Sequence, residues 1–99
     1  GWKDDVRIFK HGTRQKQTYK IGIEVEEGPY CKRTMQDKWD KYQLHGISAL
    51  YALYLDPPRR YVDWGKDAEG RTRNITIIKP SGGWKDLLGA CRIVAQALP

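Results

Sequence analysis

The plainest pattern in the chain is a strict alternation near its start. In TYKIGIEVEE, Tyr19, Ile21, Ile23 and Val25 fall on one face and Lys20, Gly22, Glu24 and Glu26 on the other. That period of two predicts a strand with one apolar and one polar face. Residues 6–10 (VRIFK) predict a second strand just before it, and Gly28-Pro29 ends the pair. Joined through residues 10–20, the two form an antiparallel hairpin with a long tip.

Helical spacing follows. Met35, Trp39 and Tyr42 share one helical face, while Asp37, Lys38, Asp40 and Lys41 line the other; Thr34 or a neighbour caps the start and Gly46 the end. Residues 47–55 (ISALYALYL) fit a helix through Ile47, Leu50, Tyr51, Tyr54 and Leu55. They equally fit a buried strand between Gly46 and Pro57-Pro58. The strand is preferred because a meander then continues through RRYVDWG and RTRNITIIK, with KDAEG as a hairpin loop. A last helix, capped by Ser81 or a following glycine, carries Trp84, Leu87, Leu88, Cys91, Val94, Ala95 and Leu98 on one stripe. The expected architecture is α+β: a curved antiparallel sheet (β-hairpin, helix, β-meander) closed by a C-terminal amphipathic helix, with the helices on one side.

Length fixes the scale. The 99 residues make one domain, spanning 1–99 and expected to be cut from a longer protein, since the chain opens on Gly1. With 39% hydrophobic and 30% charged residues, it reads as a folded chain rather than a disordered one. No apolar run reaches the roughly 20 residues of a membrane span, and no signal peptide is visible, so an intracellular setting, nuclear or cytoplasmic, is expected.

Charge changes the picture more. The net formal charge is +6, which favours polyanionic partners. It is unevenly distributed: KHGTRQKQTYK, residues 10–20, holds four basic residues, a histidine and no acid. Lys10, Arg14, Lys16 and Lys20 are therefore candidates for phosphate contact from a hairpin tip. A second basic stretch, PPRRYVDW, sets Arg59 and Arg60 beside Tyr61 and Trp64, and a third, RTRNITIIK, supplies Arg71 and Arg73 with Lys79. Cations that follow a phosphate backbone, interleaved with rings that stack on bases, are the chemistry of single-strand binding. Tyr30 is a further candidate ring. The four Trp and six Tyr, against one Phe, fit such a surface and equally fit a small core.

Catalytic chemistry finds less support. Cys31 and Cys91, the only cysteines, read as free thiols, and with only His11 and His45 beside them no metal-ligand spacing exists. The neighbouring acids Asp4-Asp5 and Glu26-Glu27 point apart on a strand, which makes a poor acid/base pair. Asp56 and Asp63 would have to converge for metal-dependent nuclease chemistry. SGGW lacks the residues of a phosphate-binding loop. The expectation is a non-catalytic nucleic-acid-binding domain without cofactor or metal. The alternative is a protein–protein interaction or self-assembly module of a larger protein, with a homo-oligomer or the parent chain as partner.

Overall fold

The computed structural model describes the backbone of residues 4–11, 16–82 and 84–98, and the side chains of residues 20–82 and 84–98. The elements, in chain order, are β1 (Asp4–His11), β2 (Lys16–Glu26), α1 (Lys32–Tyr42), β3 (Ala49–Tyr54), β4 (Ile75–Ile78) and α2 (Leu87–Ala97). The sheet order is β1-β2-β3-β4. β1 pairs antiparallel with β2, from Asp4 opposite Ile23 to His11 opposite Lys16. β2, β3 and β4 then run parallel, with Ile23 opposite Tyr51 and Tyr51 opposite Thr76.

The parallel core overturns the expected antiparallel meander. Within residues 59–74 the only pairing is an isolated bridge between Lys66 and Thr72; neither RRYVDWG nor the start of RTRNITIIK forms a strand. The reason lies in β3. All six of its residues, ALYALY, are buried. A continuous apolar strand is what a parallel sheet covered on both faces requires, since its crossovers lay chain over the sheet.

Two apolar clusters occupy those two faces. Leu50, Ala52 and Tyr54 of β3 join Met35, Trp39 and Tyr42 of α1, with Ile47, Trp64 and Ile75. The alternate residues Ala49, Tyr51 and Leu53 join Ile21, Ile23 and Val25 of β2 and Ala90 and Val94 of α2. The helices therefore lie on opposite faces, not on one side as the sequence suggested. The β2–β3 crossover runs through α1 and the β3–β4 crossover through residues 55–74, whose Trp64 packs in the α1 cluster. Two crossovers advancing in one direction over one face share a single hand, as βαβ connections do.

The face of β2 expected to be wet is instead roofed by α1: Gly22 and Glu24 are buried. Gly22 makes that approach possible. A Cβ there would sit 3.0 Å from Leu50 Cδ1 and 3.1 Å from the Tyr42 ring. α1 presents Met35, Trp39 and Tyr42 inward as its spacing predicts, and the 3-10 turn after it, Gln43–His45, ends on Gly46 in the left-handed region at φ 73°.

α2 departs from expectation in its cap and its face. Asp86, not Ser81 or a glycine, caps it by accepting the Gly89 N–H at 2.6 Å. The small residues Gly89 and Ala90, with Val94, meet the sheet, while Leu87 and Leu88 are exposed. Among the described residues, no helix is long and apolar enough to cross a membrane.

Candidate functional site

The loops that follow the three parallel strands gather at the carboxyl edge of the sheet, where open α/β sheets have their crevices. After β2 come Tyr30 and Lys32, after β3 Pro57 to Val62, and after β4 Lys79. Two open grooves, of about 480 and 650 Å³, lie between these segments and share Pro58, Arg60, Tyr61 and Val62. Lys32 and Arg59 border the first and Lys79 the second. Tyr61 stands on the ridge between them and is 93% exposed. A tyrosine ring so bare of protein contact contributes nothing to the core. Arg59, Arg60, Lys32 and Lys79 are exposed as well, and none forms an ion pair with a described residue.

The ridge is firmly carried. Tyr30 packs edge-on against Tyr54 and Trp64, with ring centroids 5.7 and 6.3 Å apart. The Trp64 carbonyl accepts from Gln36 Nε2 and from Arg73 Nη1, both at 3.0 Å. Arg73 also grips Asp40 of α1 with two bonds of 2.9 and 3.0 Å, a bidentate fork. Asp67 accepts the N–H groups of Glu69 and Arg71 and pairs with the Arg71 side chain. The long crossover is thus tied to α1 at several points.

These contacts sort the residues named from sequence. Arg59, Arg60 and Tyr61 come together on one exposed surface. Trp64 is a core residue, 9% exposed, and Tyr30 is its half-buried support. Arg73 is committed to Asp40, and Arg71 to Asp67 and Glu69. Lys20 lies at the start of the described side chains, half-buried and engaged in contacts of its own. Arg14 and the side chains of Lys10 and Lys16 lie outside the described residues. Sequence reasoning set Lys79 with Arg71 and Arg73 and left Lys32 on a helix; only the parallel topology brings both beside Arg59 and Arg60.

A second constellation was also missed. Glu24 and Glu26 lie two apart on β2, hence on one face, and both meet Lys38 of α1. Lys38 Nζ bonds to Glu26 and lies 3.7 Å from Glu24. Glu24 is 1% exposed, yet neither of its carboxylate oxygens has a donor at hydrogen-bonding distance among the described residues. Burial pushes its carboxyl above the usual glutamate range, Glu26 adds to the rise, and Lys38 and Tyr42 oppose it. It lines a cavity of about 380 Å³ between β2 and α1, with Thr34, Asp37, Lys38, Lys41, Tyr42 and His45 on the other walls. The visible signal was two carboxylates at i and i+2 facing a helix with an inward-reaching lysine. An alternating strand in isolation assigns that face to water.

Neither cysteine is in a disulfide. Among the described residues no group of three or more His, Cys, Asp or Glu side chains is arranged to hold a metal ion. Comparison of the chain with protein-family models, with curated proteins and with solved structures finds no match.

Proposed function

We propose that the chain is a nucleic-acid-binding domain that grips a single strand at the carboxyl edge of its parallel sheet. The observation that carries this reading is Tyr61, 93% exposed on a ridge between two grooves, with Arg59 and Arg60 adjoining it in sequence. The ring stacks on a base, which is worth ~1–3 kcal/mol per base. Arg59 and Arg60, with Lys32 and Lys79 on the flanks, follow the phosphates. Binding of this kind releases counterions, so log affinity falls with log salt by about 0.7 per phosphate met on a single strand. Four cations give a slope of roughly 3. No acid or base is assigned a reaction in this reading, and the setting is wherever nucleic acid is found, in nucleus or cytoplasm.

Fluorescence anisotropy with labelled single- and double-stranded oligonucleotides at low salt tests it. Single strands of DNA or RNA are expected to bind with the salt slope above. The double variant Arg59→Glu/Arg60→Glu is expected to lose most of that affinity while keeping the wild-type circular dichroism spectrum. Wild-type protein that binds no oligonucleotide, or an unaltered affinity in the folded double variant, overturns the reading. Salt-insensitive self-association in sedimentation would favour an assembly module instead.

A further inference from the structure

We infer that the cavity between β2 and α1 is a second binding site, for a small organic cation whose N–H donors are held by Glu24. Hydrogen bonding is the starting point. Glu24 and Glu26 face one shared donor among the described residues, the Lys38 ammonium. Lys38 is bonded to Glu26, and the carboxylate left without a donor is the more deeply buried of the two, with a side chain 1% exposed against 14%. A buried carboxylate accepts hydrogen bonds almost without exception, because an unmet one forfeits its solvation with nothing in return.

The missing donors have a place to come from. Glu24 forms part of the wall of a cavity of about 380 Å³, room for a small molecule. A primary ammonium there offers up to three donors, and a guanidinium offers a bidentate fork. A multivalent metal ion is disfavoured, since no third acid, histidine or cysteine joins the two glutamates in a ligating arrangement among the described residues. The Tyr42 ring gives the cation an aromatic neighbour on one wall. The site is independent of the Arg59–Tyr61 ridge: the two share no lining residue.

The test follows backbone amide resonances of the chain by NMR while n-propylammonium chloride is added. Saturable shifts confined to β2 and α1 are expected. Tetramethylammonium, equally charged but without an N–H, is expected to bind at least about tenfold more weakly, the effect of losing one charge-assisted hydrogen bond. Glu24→Gln keeps the shape and removes the charge, and is expected to weaken propylammonium by a similar factor. Lys38→Met leaves both carboxylates without their ammonium, so propylammonium should bind it more tightly and raise its melting temperature, or restore its fold if it is unfolded alone. A blocked Gly-Lys-Gly peptide separates the two sources of an ammonium: tighter binding of the free amine assigns a metabolite-sized ligand, tighter binding of the peptide a lysine side chain. The inference is overturned if no saturable shift occurs, if Glu24→Gln binds propylammonium as well as wild type, if Lys38→Met is neither tightened nor rescued, or if Mg²⁺ saturates the same resonances in preference to the amine.

Discussion

Replacing Glu24 by Gln should make the domain more stable at neutral pH. In the folded chain burial raises the Glu24 carboxyl, and the attraction of Lys38 and Tyr42 does not cancel that rise. The raised value is the net outcome of all these influences, so the charged form is worse off folded than unfolded. A carboxyl raised on folding contributes most to stability below its unfolded value, near 4.5, and that contribution is lost as pH climbs through the folded value. Above the folded value the ionised Glu24 is therefore a burden of the order of an unmet buried polar group, ~1–3 kcal/mol. With a side chain 1% exposed, solvent screens little of it. Gln fills the same space without charge, and Lys38 keeps Glu26 as partner.

For a domain of this size each kcal/mol moves the melting temperature by about 4–8 °C. Chemical denaturation of wild type and variant from pH 3 to pH 8 reads the effect directly. The stability curves should converge below pH 4, where Glu24 is protonated in both states, and separate as pH rises, with the variant above. A variant less stable than wild type at pH 7, or two parallel curves, would refute the electrostatic account.

Other substitutions probe the fold and the ridge. Gly22→Ala forces a Cβ within 3.1 Å of the Tyr42 ring and 3.0 Å of Leu50, and should cost about 1–3 kcal/mol in urea denaturation as α1 is pushed off the sheet. Met35→Ala removes a fully buried side chain between α1 and the sheet and should cost about 2–5 kcal/mol by the same measurement. Arg73→Ala breaks the fork to Asp40 and the bond to the Trp64 carbonyl, so limited proteolysis should cut within residues 55–74 faster than in wild type, while α2 stays protected. Tyr61→Ala should leave the melting temperature unchanged, because the ring is bare, yet weaken single-strand binding about 5- to 150-fold, the equivalent of ~1–3 kcal/mol of stacking.

What the amino-acid order determined by itself was local. Alternation marked β2, the spacing of Met35, Trp39 and Tyr42 marked α1 and its buried face, and Gly46 marked its end. Residues Ala49–Tyr54 were legible as a buried strand because they form an apolar run between turn signals. The adjacency of Arg59, Arg60 and Tyr61 was equally plain. Strand direction was not, since period-two alternation is the same whether the neighbour runs parallel or antiparallel. Helix placement on two faces was hidden for the same reason, and with it the burial of Gly22 and Glu24.

Tertiary structure alone decided which charges are committed. In sequence Arg73 resembles Arg60; in space Asp40, thirty-three positions away, neutralises the first and no described acid reaches the second. Lys32 at the start of α1, Arg59 and Arg60 in the β3–β4 crossover and Lys79 after β4 meet only because parallel strands deliver their carboxyl ends to one edge. Glu24 reads as a wet residue until α1 crosses above it and replaces water with a lysine, a tyrosine and a cavity. Periodicity is a property of neighbours along the chain; pairing of charges over distance is set by the packing of elements, which no short window of sequence contains.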